Sequence, residues 1–125
     1  KLVETAISTA LLLADSKNIS VNNNVQPELI LSIDKNTALT FIRNIVNNAI
    51  KFTHKGGYIT IDSHVNEDSI SLHITDTGVG ISPEVIDQLF QIGKDISTNG
   101  TNNEKGTGLG LILCKEFIER NYGKI

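Results

Sequence analysis

A lone cysteine, Cys114, leaves no partner for a disulfide within the chain and no set of thiolates for a metal site. Its place in an apolar helical pattern suits a reducing, cytoplasmic setting. A basic patch is missing as well: eleven Lys and Arg stand scattered against fourteen Asp and Glu, for a net charge of -3. Nucleic acid and anionic membranes are therefore not expected as direct partners, and a phosphate ligand has to be held by local groups. The longest apolar run, Ala10 to Ala14, is far too short to cross a bilayer, and the first residues lack the segments of a signal peptide. Neither repeats nor a composition break divides the chain. Its 125 residues form one expected domain, 1–125, able to bury roughly two-thirds of the unfolded surface around a single core.

Hydrophobic periodicity supplies the elements. Leu2, Ala6, Ile7, Ala10, Leu11 and Ala14 recur at helical spacing and predict a first helix over 2–16, closed by polar Asp15 to Asn18. Ile19 and Val21 alternate with polar neighbours, Asn22 to Pro27 reads as a turn, and Leu29 to Ile33 reads as a short strand ending at Asp34. Asp34 suits the N-cap of a long amphipathic helix over 36–52, with Ala38, Phe41, Ile42, Ile45, Ala49 and Phe52 on its apolar face. Tyr58–Val65 and Ser69–Asp76 alternate with period two across Glu67 and Asp68. They predict an antiparallel hairpin that sets Ile61 opposite Ile74 and Ile59 opposite Asp76. A short helix over 83–90 begins at Pro83, and a last apolar helix runs from Leu109 to about Asn121.

Four features carry chemistry. Asn44, Asn48 and Lys51 fall within an arc of about 60° on the long helix and make one polar stripe. That is the pattern of a solvated face, yet Asn is a mediocre helix former where Glu or Lys would serve better. An amide oxygen suits hard Mg²⁺, and a lysine one turn on can meet a phosphate. Asp76 shares the parity of Ile70, Leu72 and Ile74, so its carboxylate is expected to point at the core. It either caps the turn of Thr77 and Gly78 or accepts from the exocyclic amine of adenine, where guanine would present a repelling carbonyl. Two glycine clusters follow, Asp76 to Ile81 with Gly78 and Gly80, and Gly106-Thr107-Gly108-Leu109-Gly110-Leu111. The second leads into a helix whose first amides can receive phosphate oxygens. Neither fits a dinucleotide fingerprint or a P-loop. Between them, the aperiodic polar stretch 91–106 is long for a connection in a small domain and reads as a lid, with Lys94 and Lys105 in reach of phosphates. His54, His64 and His73 lack ligand spacing and read as surface residues.

The order of these features resembles the histidine kinase members of the ATPase superfamily shared with DNA gyrase, mismatch-repair ATPases and the heat-shock 90 chaperones. Arg43 to Thr53 looks like the N box, Asp76 to Ile81 the G1 box, Phe90 the F box and Lys105 to Leu111 the G2 box. The resemblance runs from the first helix to Ile125. It implies an α/β (α+β) two-layer sandwich with a mixed sheet and helices on one face, an ATP-binding histidine kinase-like fold whose lid covers about 91–107. It also implies that family members continue beyond Gly123-Lys124-Ile125 through another strand or two. Asn48 would be the Mg²⁺ ligand, Asn44 and Lys51 would assist metal and phosphates, and Asp76 would hold adenine. Gly106, Gly108 and Gly110 would shape the phosphate-side loop. The implied reaction passes the γ-phosphate of Mg·ATP to a histidine on the dimerisation domain of the parent protein, which then serves a response regulator. No histidine here sits in a helical acceptor context, so the acceptor is expected elsewhere. A gyrase-type ATP hydrolase would need a Glu where Asn44 stands, because an amide cannot act as general base at neutral pH. A module that binds nucleotide or a partner without turnover is the third reading.

Overall fold

In the computed structural model, residues 1–92 and 98–125 are described. The elements run α1 (Leu2–Ser16), β1 (Ser20–Asn23), α2 (Lys35–Phe52), β2 (Tyr58–Val65), β3 (Ile70–Asp76), α3 (Pro83–Ile86) and α4 (Gly110–Arg120). Among the described residues the sheet has three strands in the order β1-β2-β3, with β1 parallel to β2 and β3 antiparallel to it. It is the mixed sheet expected. The hairpin register also holds, with Ile61 paired to Ile74, Ile59 to Asp76, and Asn66 N–H donating to Ser69 O across the connection.

Alternation along β2 explains the layering. Ile59 and Ile61 turn inward, with no exposed surface, against Ala6, Ile7, Ala10 and Ala14 of α1 and Ile42, Val46, Ala49 and Ile50 of α2. His64 and His73 stand exposed on the other face, ring edge to ring face at 4.8 Å between centroids. Helices thus cover one side of the sheet and polar side chains the other. α2 starts as its sequence predicts: Asp34 Oδ1 accepts from Thr37 N–H at 2.7 Å, and Thr37's hydrogen bonds hold that carboxyl below its ordinary value.

Two expectations on the elements are corrected. Leu29 to Ile33 forms no strand. β1 takes the free edge of β2 through Asn23, Asn24 N–H still reaches Ile61 O, and the chain then leaves the sheet. Ile30 is 92% exposed. An apolar run without a ladder partner has nothing to make it a strand. The helix expected over 83–90 is α-helical only at Pro83–Ile86, and turns that close from Gln88 N–H to Val85 O and from Leu89 N–H to Ile86 O follow.

α1 and α4 both terminate in the same left-handed turn. After α1, Asn18 N–H donates to Asp15 O and Ile19 N–H to Ala14 O, with Asn18 at φ 50° and Ile19 buried beneath. After α4, Tyr122 N–H donates to Glu119 O and Gly123 N–H to Ile118 O, with Tyr122 at φ 61°. Asn tolerates that conformation, whereas Tyr122 is strained in it and, fully exposed, packs on nothing in return. Tyr122→Gly should therefore raise stability by about 0.5–1 kcal/mol, the relief exceeding the added freedom of the unfolded chain. A urea midpoint that stays or falls would contradict this account.

Candidate functional site

α2 ends differently from its neighbours. Its cap residue Thr53 is extended, at φ -92° and ψ 134°, so the last carbonyls of the helix are not turned back on by a left-handed residue. Thr53 Oγ1–H donates to Ala49 O at 2.7 Å. The Lys17 ammonium, at the C-cap of α1 and only 7% exposed, donates to Ile50 O at 2.9 Å and Lys51 O at 3.1 Å. Lys51 O also accepts from Thr101 N–H at 3.0 Å, and Phe52 O accepts from Val79 N–H at 3.0 Å. Both loops flanking the prospective site are thereby fastened to one helix end.

The first loop follows β3. Gly78 N–H donates to Asp76 Oδ1 at 2.8 Å, and a Cβ at Gly78 would collide with Phe52 O, so only glycine lets the loop pass this close to α2. Gly80, at φ 71°, turns the chain onward to Ile81 and Ser82. Asp76 was expected to be buried; it is exposed. Its parity does face the helical layer, paired to the buried Ile59, but it stands at the last position of the strand, where the facing wall opens into a cleft. Parity sets the face and not the depth.

That cleft has a volume of about 480 Å³. Ile45, Asn48, Ala49 and Phe52 of α2 form one wall, Ile74 and Asp76 of β3 the floor, and Val79 to Ser82 with Val85 and Leu89 the far side. Thr98, Asn99 and Leu111 close it. Apolar walls with a few convergent polar groups are the usual make-up of a small-molecule site. Of the residues singled out in the sequence, the structure brings together Asn48, Asp76, Gly80, Ile81 and Leu111.

Others stand nearby but outside the lining. Lys51 Nζ lies 4.7 Å from the centre of the Phe52 ring and donates to Thr98 O at 3.0 Å, so its ammonium already has a partner. Asn44 lies beside Cys114 of α4, whose thiol donates to Phe41 O at 3.7 Å; burial pushes that thiol up, and the neighbouring Asn44 amide offsets only part of the rise. Phe90 is half-buried, with Lys115 Nζ 5.6 Å from its ring centre. Lys105, Gly106, Thr107, Gly108 and Leu109 lead into α4; Gly108 is at φ 69°, Leu109 N–H reaches Thr107 Oγ1 at 3.4 Å, and Gly110 is the first helical residue. Lys94 lies outside the described residues.

Sequence reasoning missed a second cluster. Lys17 Nζ also donates to Thr101 Oγ1 at 2.7 Å and pairs with Glu104 Oε1 at 3.0 Å. In the sequence Lys17 is only part of a polar helix end, and Thr101 and Glu104 are only part of an aperiodic loop. The one signal was a lysine at a helix terminus, which is common everywhere.

Residues 33–125 match the family described as histidine kinase-, DNA gyrase B-, and HSP90-like ATPase. The sensor protein SrrB of Staphylococcus aureus (strain NCTC 8325 / PS 47) is 34% identical over 112 residues, covering 90% of this chain and 19% of that protein. The chain thus spans about a fifth of the length of such relatives. The catalytic domain of histidine kinase ThkA superposes with a TM-score of 0.80 at 25% identity, covering 96% of this chain and 76% of that one. A mycobacterial sensor histidine kinase, MprB, superposes with a TM-score of 0.77 at 20% identity, over 97% of this chain and 75% of that one, a likeness of fold.

Desolvation pushes the Glu104 carboxyl up, but hydrogen bonds from its own amide and that of Asn102, together with the hydrogen bond and charge of Lys17, outweigh it and leave it below the ordinary 4.5. The ionised form therefore stabilises the fold at neutral pH, and that contribution is lost as pH falls from about the ordinary value through the lowered one. Glu104→Gln should destabilise the protein most near neutrality and progressively less below pH 4.5, measured as urea midpoints across pH. A loss independent of pH would show that the ionised carboxylate is not what Lys17 uses.

Proposed function

The chain belongs to the histidine kinase-, DNA gyrase B- and HSP90-like ATPase family, and we propose that it is the catalytic and ATP-binding domain of a sensor histidine kinase. The observation that carries this reading is the cleft in which Asp76, Asn48, Gly80, Ile81 and Leu111 line one apolar-walled space of about 480 Å³. In it Asp76, whose second oxygen is free of the Gly78 turn, accepts from the adenine amine, while Gly78, Gly80 and Ile81 form the adenine-side loop. The turn cap and the nucleotide contact are then one device: the bond to Gly78 N–H orients the carboxylate that reads the base. Phosphates lie toward Lys51 and the segment Lys105 to Leu111, at the first amides of α4. Phe90 flanks the lid.

The residues present fit an Mg²⁺ that arrives with the nucleotide rather than a resident ion. Among the described residues no group of three or more His, Cys, Asp or Glu could hold a metal, and the cleft offers the Asn48 amide oxygen, with Asn44 a turn away. One protein oxygen plus phosphates and waters is an ordinary Mg²⁺ set, and the ion would neutralise phosphate charge. The chain's own contribution is to position and orient.

Transfer rather than hydrolysis is favoured by what stands at 44. Asn44 is an amide beside Cys114, and Asp76, the carboxylate of the cleft lining, has one oxygen on Gly78 N–H and gives the other to the adenine amine in this reading. Neither serves as a base for water. The accepting imidazole belongs to a dimerisation domain elsewhere in the parent protein, which passes the phosphoryl group to a response regulator: His54, His64 and His73 lie on a turn and on the outer face of the hairpin, none on a helix. No described helix is long and apolar enough to cross a membrane, and we place the domain in the cytoplasm.

Asp76→Ala should keep the fold and weaken adenine nucleotides roughly ten- to 150-fold in calorimetric titration. Unchanged ATP affinity in the folded variant would sink the adenine assignment. Asn48→Ala should abolish most of the gain in ATP affinity that Mg²⁺ gives the parent chain; if Mg²⁺ strengthens binding equally in both, Asn48 is not the ligand.

A further inference from the structure

The two loops around the cleft are tied to the end of α2 by separate bonds. The adenine-side loop hangs on Phe52 O through Val79 N–H. The phosphate-side segment hangs on Lys51 O through Thr101, whose hydroxyl also lies 2.9 Å from Thr53 O, and on Lys17 through Thr101 and Glu104. Glu104 ends that fastening two residues before Gly106. Within it Gly100 is buried, its amide bonded to Glu104 O at 2.9 Å, with a Cβ excluded by Glu104, Lys51 Cγ and Lys51 O. Glu104 Oε2 accepts from Asn102 N–H at 2.8 Å while Oε1 takes Lys17, so both carboxylate oxygens are engaged. Lys17 has three protons for Ile50 O, Lys51 O, Thr101 Oγ1 and Glu104 Oε1, and none to spare.

We infer that Lys17 is a positioning residue for nucleotide phosphates: with Thr101 and Glu104 it pins residues 100–104 to the end of α2 and so fixes where Gly106 to Gly110 begins. This rests on the reading of the cleft as a nucleotide site. Lys17 touches no ligand. It stands at the end of α1 on the far side of α2's terminus, its backbone set by the left-handed turn at Asn18 and by Gly56 N–H, which donates to Lys17 O at 3.1 Å. Because Val79 is tied to α2 without it, loss of Lys17 displaces the phosphate side and leaves the adenine side in place. A role confined to stability would weaken all nucleotides alike in the folded fraction.

The experiment compares affinities for ADP and a non-hydrolysable ATP analogue, with Mg²⁺, in the unaltered chain, Lys17→Met, Lys17→Arg, Thr101→Val and Thr101→Ser. The preference for the triphosphate over ADP should fall roughly tenfold in Lys17→Met and Thr101→Val, within the range usual for coupled sites, and return toward the parent value in Lys17→Arg and Thr101→Ser. Amides of Gly100 and Thr101 should be protected from hydrogen exchange in the nucleotide-free parent. They should lose that protection in Lys17→Met. An unchanged preference in folded Lys17→Met and Thr101→Val, or unprotected amides in the parent, would overturn the assignment of Lys17. Failure of the unaltered chain to bind either nucleotide, with the amides protected, would instead remove the cleft reading and this inference with it.

Discussion

The C-terminal carbonyls of α2 organise this protein. A helix leaves its last four carbonyls without intrahelical partners, and most helices settle them locally. α1 and α4 do so with a left-handed residue, Asn18 and Tyr122. α2 keeps Ala49 O for its own cap, on the Thr53 hydroxyl, and shares Ile50 O between Thr53 N–H and Lys17, but sends Lys51 O to Lys17 and Thr101 and Phe52 O to Val79. Each unmade bond at a buried carbonyl would cost about 1–3 kcal/mol, so the segments that answer them are held by the cost of leaving. A cation at the negative end of the helix adds to this. Loops far apart in sequence become neighbours because they satisfy consecutive residues of one helix.

That arrangement sets what has to be rigid. The cleft lies against the side of the last two turns of α2, from Ile45 to Phe52, so Asn48 and the loop bearing Gly78 and Gly80 share a reference frame. The apolar core under it, Val46 and Ile50 against Ile59 and Ile61, keeps the helix from shifting on the sheet. A packed core transmits displacement rather than absorbing it. Asp76 gains its fixed orientation from the same source: Gly78 N–H holds one carboxylate oxygen because Gly78 is pressed against Phe52 O.

How much of this is legible in the sequence depends on how local the signal is. The long helices and the hairpin register are written in spacing, and Asp34 and the two-residue connection at Glu67 and Asp68 mark where they begin and turn. The glycine clusters and the Asn stripe gave the neighbourhood of the cleft. Leu29 to Ile33 misled, because apolar content says nothing about whether a ladder edge is free. Asp76 misled on depth for a related reason: alternation is a one-dimensional signal, and the rim of a cleft is set by elements far away in the chain. Lys17, Thr101 and Glu104 left no pattern. The bonds from the Lys17 ammonium that join them to α2 and to each other span 33 to 87 residues along the chain, and no periodicity covers such distances.

Lys51 shows how the stripe on α2 bears on the proposed site. Its ammonium is not idle: it lies over the Phe52 ring and donates to Thr98 O, whose residue helps to close the cleft. Its bond to the Thr98 carbonyl is already charge-assisted, but an anionic phosphate adds an attraction between full charges that a neutral carbonyl does not offer. In the proposed site a phosphate within reach of Lys51 is the better partner, and that exchange would release Thr98 from the helix. Thr101, three residues later, has no such competitor, since Lys51 O and Lys17 remain available to it whatever occupies the cleft. One helix therefore holds its neighbouring segment by a tradeable contact at Thr98 and by a fixed one from Gly100 to Glu104. A phosphate arriving beside Lys51 can loosen the first without disturbing the second.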